Sequence, residues 1–220
     1  MVRRTREEAE QTRSLLLDTA ETLFWEKGVS RTSLADIAQA AGLTRGAIYW
    51  HFQNKVDLFT AMCQRIEPSF FALFDALEAE AAVNPARALW RHVNRVLATI
   101  TGDARIARVI GIINLRCELV GEMDAIQVEN ERGQERCHGH LTRAFEAAQR
   151  LGQLSAGTTP CHAAAGLQAL VKGIVHIWLL TPRNLPLPDC GTACLSPYFQ
   201  GVFVGDCWLD ADDGAPHDAL

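Results

Sequence analysis

The chain contains no run of about 18 apolar residues, so no membrane-spanning helix is expected. Its longest apolar stretches, Val109–Ile113 and Ile174–Leu180, have the length of core segments. No secretory leader is expected, because no apolar stretch follows the arginines of MVRRTREEAEQTR. Seven cysteines, an odd number at irregular spacing, argue against a disulfide framework and for reduced thiols in a cytoplasm. Positive charge is in deficit too: the net charge of −5 excludes a surface that is basic all over. A nucleic-acid partner would therefore have to meet positive charge that is local. Neither the alternation of a β-strand, nor a repeat, nor a low-complexity tract is present. There is no glycine-rich phosphate loop, no HExxH and no GxSxG, and no nucleophile stands beside an oriented base at a plausible spacing. An enzyme is not expected, and no cofactor is implied.

What the chain does have is helical periodicity in one soluble-type composition, at a length (220 residues) that suits a small unit joined to a larger one. Residues 7–27 place Leu16, Ala20, Leu23 and Phe24 on one face, and Gly28 stops that helix. Thr32 or Ser33 caps the next, about 34–40, with Asp36 in its first turn and Leu34, Ile37 and Ala38 inward. Gly42 ends it, Thr44 caps a third helix over roughly 45–51, and Asn54 caps a fourth from Lys55. The fourth is expected to run to about residue 81 with a kink at Pro68. Further helices are expected over about 85–101, 104–120 (buried all round), 123–151 and 161–181. A last helix is expected to begin at Ser196-Pro197. The segment from Asp206, DCWLDADDGAPHDAL, reads as a frayed acidic tail.

Two short helices about a turn with Gly42, behind a supporting helix, form a helix-turn-helix, whose second helix enters the major groove. GLTRGAIYWHF (42–52) then divides by task. Arg45 forks onto a guanine edge. Gly46 and Ala47 let the backbone approach the duplex. Thr44, Tyr49 and His51 offer donors to phosphate oxygens, Lys55 adds another, and Ser33 belongs to the same DNA-facing set. Arg3, Arg4 and Arg6 make a basic arm. Ile48 and Phe52 match the apolar face and read as core; Trp50 fits either role, and is counted with the DNA-facing residues.

The stretch Thr12–Phe59 resembles the DNA-binding domain of the TetR family of regulators. TSLADIAQAAGLTRGAIYWHFQNKVDLF (32–59), the opening MVRRTREEAEQTR and RCELVGEM (116–123) are similar to its AcrR/TtgR branch, which represses multidrug efflux operons. The resemblance implies an all-α homodimer, with DNA binding over 1–54 (arm 1–8) and ligand binding and dimerisation over 55–206; composition adds an acidic tail over 207–220. Pro197, Gly201 and Gly205 depart from a good final interface helix.

On the fourth helix Cys63, Glu67, Phe70, Phe71 and Phe74 lie on neighbouring turns of one side. Glu67 is either a wet residue at the rim or an anchor for a flat cationic ligand, with the rings adding stacking. The AcrR resemblance implies that this position faces the drug cavity. Arg108, Ile112 and Asn114 are placed in the same cavity, Asn114 through the resemblance to TtgR-like proteins. His176, one turn from Lys172, is a ligand contact or a satisfied core or interface residue. Ala163–Gly166, Ala169 and Gly173 allow another helix to approach closely, as a two-fold interface would require. Cys137-His138-Gly139-His140 supplies only two ligands to one helix face, too few for closed zinc. Cys190, Cys194 and Cys207 are the cysteines placed to oxidise.

The expected function is a cytoplasmic repressor with two partners besides its own second copy: a palindromic duplex operator and a small apolar or cationic inducer. No membrane partner is expected. The alternative is a regulator of the same build that answers one metabolite or signal and does not control efflux.

Overall fold

The computed structural model describes residues 6–118, 124–182, 185–187 and 189–209. Among them are ten α-helices and no strand: α1 (Arg6–Lys27), α2 (Leu34–Ala40), α3 (Arg45–His51), α4 (Lys55–Gln64), α5 (Glu67–Ala81), α6 (Pro85–Gly102), α7 (Ala104–Leu115), α8 (Asp124–Arg150), α9 (Pro160–Leu180) and α10 (Asp189–Val202). The chain divides into two compact units, Met1–Pro68 with Asp103–Glu131, and Ser69–Gly102 with Arg132–Leu220. Arg3 and Arg4 of the expected arm, and most of the acidic tail, lie outside the described residues.

In the first unit the helix ends are set locally. Gly28 (φ 87°) and Gly42 (φ 68°) take the left-handed conformation that turns the chain out of α1 and past α2. Ser33 caps α2 through a reciprocal box: its Oγ accepts from the Asp36 N–H, and its own N–H donates to the Asp36 carboxylate at 2.9 Å. Thr44 accepts from the Ala47 N–H (3.3 Å) and Asn54 from the Asp57 N–H (2.8 Å). The caps close a core of Leu16, Leu17, Ala20, Phe24, Ile37, Ile48, Phe52, Leu58 and Phe59.

Two features differ from the sequence-based expectation here. The kinked fourth helix is two helices. A proline at 68 would drive its ring into the Gln64 carbonyl of a continuous helix. Instead α4 stops at Gln64, the chain tightens through Arg65 and Ile66, whose N–H groups donate three residues back, and Pro68 falls in the first turn of α5. The helix expected to be buried all round ends at Leu115 and exposes Arg105, Arg108 and Asn114, while Ile106, Val109, Gly111 and Ile112 are buried. The charged residues demand water even though aliphatics surround them in sequence.

The second unit is held by rings. Trp90 lies edge-on to Phe199 (5.0 Å between centroids) and to Trp208 (4.6 Å), and Phe199 and Phe145 each stack on Phe203. Trp208 is 2% exposed, so the frayed tail does not begin at 207. Asn84 Nδ2 donates to the Cys207 carbonyl, and Arg87 Nε to that of Leu209. The last helix also starts earlier than expected, leaving Pro197 inside it. Pro197 cannot donate to the carbonyl four residues back, but buried Leu195, Phe199 and Phe203 keep the helix in register. Along α9 an 18-residue window has mean hydropathy 1.5 and is only 28% buried, enough by length and composition to cross a membrane, against the expectation that no such segment exists. Lys172, His162, His176 and Gln168 interrupt its apolar sequence without lowering the average below that level.

Candidate functional site

α3 is a seven-residue helix that buries Ile48 alone. Phe52, its C-cap, is also buried, with the Arg13 guanidinium 5.2 Å above its ring. Ala47 and His51 are half-buried, and the other residues of α3 face outward. Arg45 and Gly46 are exposed, Tyr49 is 48% exposed and Trp50 72%, an unusual cost for an indole unless something covers it. The Arg45 guanidinium lies 5.8 Å from the Tyr49 ring centroid, which keeps the cation on the outer face of the helix. His51 is half-buried, with its ring edge-on to Trp50 at 4.8 Å. Thr44 spends its oxygen on capping α3 and keeps its hydroxyl proton available.

Ser33 and Lys55 each make a contact inside the unit. The exposed Ser33 hydroxyl donates to Asp36 at 2.6 Å, and these bonds hold the Asp36 carboxyl below its ordinary range. Lys55 is half-buried and its Nζ donates to the Val29 carbonyl at 3.1 Å, tying the start of α4 to the turn after α1.

An ionic clasp that sequence reading missed ties α1 to the end of α4 and the start of α7. Glu21 of α1 is 2% exposed. Arg65, at the end of α4, reaches it at 2.8 Å and Asp18 at 2.7 Å, while Arg105 at the start of α7 meets Asp18 at 2.9 Å and Glu21 at 3.5 Å. Burial pushes the Glu21 carboxyl up, against the pull of Arg65 and Arg105. A cleft of about 400 Å³ beside the clasp is lined by Asp18, Glu21, Thr22, Asp103, Arg105 and Arg108. At its other end α7 holds α1 again: the Val29 N–H donates to the Arg116 carbonyl (2.9 Å), and the Arg116 guanidinium lies 5.5 Å from the Trp25 ring. The available signal was Glu21 itself, a carboxylate four residues after Leu17 and three before Phe24 on the apolar stripe.

The residues expected to meet a ligand fall in both units. In the first, Cys63 and Glu67 are half-buried, Ile112 is buried, and Arg108 and Asn114 are exposed. Burial, with the Glu67 and Cys117 groups nearby, pushes the Cys63 thiol up to about 12. Among the described residues no cation pairs with Glu67. Asn114 Nδ2 donates back to the Ile110 carbonyl at 2.8 Å. In the second unit Phe70 and Phe74 are half-buried, Phe71 is 51% exposed and His176 is exposed. Phe74 stacks on His140 at 4.6 Å and faces His92 at 5.1 Å. His140 and Arg143 both contact the Glu78 carboxylate, which they hold below its usual range.

Two family models match this chain. That for bacterial regulatory proteins of the tetR family matches residues 16–62, and that for the C-terminal region of MAATS-type transcriptional repressors matches residues 84–198. The chain belongs to the TetR family. It is 38% identical over 187 residues to the HTH-type transcriptional regulator TtgR of Pseudomonas putida, covering 85% of this chain and 89% of that protein. The crystal structure of NalD, the secondary repressor of the MexAB-OprM multidrug efflux pump in Pseudomonas aeruginosa, superposes with a TM-score of 0.80 at 35% identity, over 90% of this chain and 98% of NalD. A complex of triclosan with SmeT, the repressor of the Stenotrophomonas maltophilia multidrug efflux pump SmeDEF, gives 0.77 at 28%, over 91% and 96%. The all-α, helix-turn-helix fold of TetR regulators is thus the fold of this chain, and the family is one of transcriptional regulators.

Proposed function

We propose that this TetR regulator is a homodimeric, cytoplasmic repressor of a multidrug efflux operon, released from a palindromic operator by an apolar or cationic drug-like molecule, and that it has no catalytic activity. The observation that carries the reading is α3: a short capped helix that buries one side chain and turns Arg45, Gly46, Tyr49 and Trp50 outward. With two such helices on a two-fold axis, half-sites lie about one helical turn (roughly 34–36 Å) or a multiple apart. Arg45 reads a base edge; Thr44, Tyr49 and His51 hold phosphates, and Gly46 and Ala47 admit the duplex backbone. Ser33 and Lys55 position this face through the contacts already given. The relatives that repress efflux pumps support the choice of target, and the triclosan complex of SmeT supports a drug-sized ligand.

The inducer is assigned to the face of α5 that carries Glu67, Phe70, Phe71 and Phe74. A half-buried carboxylate without a protein cation is an anchor for a positively charged ligand, and rings one turn on give it stacking surface. Dimerisation is assigned to α9, where Ala169, Gly173, His176, Ile177 and Leu180 are exposed on an apolar helix; a second copy, and not a membrane, covers them. On this assignment His176 is an interface residue.

Replacing Arg45 tests the central role. Arg45→Ala is expected to weaken operator binding by about 1–3 kcal/mol while binding to scrambled duplex is largely kept. Equal loss on both DNAs makes Arg45 a phosphate contact, and no loss on either removes it from the interface. Glu67→Ala is expected to weaken cationic inducers more than neutral ones, and an equal effect on both removes the electrostatic anchor.

A further inference from the structure

Seven free cysteines are present, and they are not chemically equivalent. Burial pushes the thiols of Cys63, Cys117, Cys137 and Cys207 up, which leaves less thiolate to react. Of the other three, Cys190 is half-buried, and Cys161 and Cys194 are exposed. Those two exposed thiols differ in what surrounds them. Cys194 lies inside α10. Cys161 occupies the first turn of α9, and its Sγ lies 3.6 Å from Nε2 of His138 on α8.

That first turn is bare. Pro160 has no N–H, and the Thr159 side chain makes no cap bond. The first amide protons of α9 are therefore not neutralised by the usual hydroxyl, and the positive end of the helix faces the thiol. A base in contact, a helix end that favours negative charge and access from solvent combine in one cysteine what the other six show at most in part. Cys161 projects toward α8, on the side where Gln168 Nε2 donates to Gln134 Oε1 at 2.9 Å. It lies about a quarter-turn around α9 from the strip of Ala169, His176 and Leu180, at 100° per residue.

We propose that Cys161 and His138 form a reactive thiol–imidazole pair, a covalent modification site for soft carbon electrophiles such as α,β-unsaturated carbonyl compounds. His138 Nε2 takes the thiol proton. The sulfur forms a bond to the β-carbon while the C=C π pair moves to the α-carbon and its carbonyl, and the imidazolium returns its proton to the α-carbon. The S–H bond has then been added across the double bond, with no oxidant and no leaving group. The adduct replaces a proton by a carbon skeleton at the contact of α8 and α9.

The test is competitive labelling of the native full-length protein with N-ethylmaleimide below one equivalent, followed by quenching and peptide mass spectrometry. Cys161 is expected to label about tenfold or more faster than Cys194, and His138→Ala to bring its rate down toward that of Cys194. Far-ultraviolet circular dichroism of the variant verifies its helices, and His138→Gln, which keeps a polar side chain without the base, serves should His138→Ala lose them. Cys194 reacting as fast as Cys161, or a Cys161 rate unchanged in a folded His138 variant, overturns the proposal.

Discussion

The first unit is organised by helix caps across short spans and by one buried ionic clasp, the second by rings from distant parts of the chain. Ser33, Thr44, Asn54 and Asp103 each cap a helix within three residues of themselves. Trp90, Phe145, Phe199, Phe203 and Trp208 pack together although more than one hundred residues separate the first from the last. A surface that must present a helix to DNA gains from ends that do not fray. A unit assigned to ligand binding and dimerisation gains from a core that holds long helices apart from any one local signal.

The widest test of this contrast is Trp208→Ala. Removing the indole from between Trp90 and Phe199 should cost about 3–5 kcal/mol in denaturant unfolding. A loss under 1 kcal/mol would mean that the aromatic cluster does not hold the second unit. In the first unit, Arg65→Ala leaves the buried Glu21 with only the longer Arg105 contact and should cost about 2 kcal/mol, below the usual range for buried pairs because Arg105 and solvent compensate in part. Glu21→Gln should cost less than Arg65→Ala, because burial already disfavours the charged carboxyl. The reverse order would contradict the clasp.

Acid separates the units by sign. Burial pushes His92 of the second unit down to about 4, with its Nδ1 3.2 Å from the Leu73 carbonyl. Between 6.5 and about 4 the unfolded chain binds a proton there that the folded chain refuses, so stability falls as pH falls through that window. The loss is about 2 kcal/mol by pH 5, and should vanish in His92→Gln. Glu21 acts oppositely: burial raises its folded pKa, so the folded chain holds a proton there that the unfolded chain has already released. Its contribution is present at low pH and lost as pH rises through the folded value. Glu21→Gln should therefore make the acid-side loss look steeper. The smallest effect expected is Thr44→Ala, about 1 kcal/mol of stability from the lost α3 cap. Thermal unfolding of that variant checks it.

Sequence reading located α2 and α3 to the residue, because caps, glycines and periodicity are local signals: Ser33 and Gly42 bracket one helix, Thr44 opens the other. It expected one helix kinked at Pro68, whereas α4 stops at Gln64 and α5 begins at Glu67, since a proline announces trouble but not where the break will fall. It placed the start of the last helix at Ser196-Pro197, a sound local signal overruled upstream by the buried side chain of Leu195 and by the Thr192 hydroxyl, which donates to Asn94 Oδ1 at 2.6 Å. Trp208 looked like part of an acidic tail because its partners, Trp90 and Phe199, are distant or follow a proline-rich stretch. At the site, Arg45 and Tyr49 were legible as outward residues of one short helix, while Trp50, open in the sequence between core and surface, is 72% exposed. The Glu21, Arg65 and Arg105 clasp was not, because each charge alone resembles an ordinary surface residue.

The central claim is that the outward face of α3 binds a specific operator and that a flat cationic molecule releases it. Fluorescence anisotropy of the purified protein on labelled duplex from upstream of its own gene measures this, run against scrambled duplex at two salt concentrations and then with added ethidium under a non-overlapping label. The account predicts tighter, salt-sensitive binding to the upstream duplex, lost on adding ethidium and retained in part by Glu67→Ala. Specific binding that ethidium and other cationic dyes leave untouched, in wild type and Glu67→Ala alike, would contradict it.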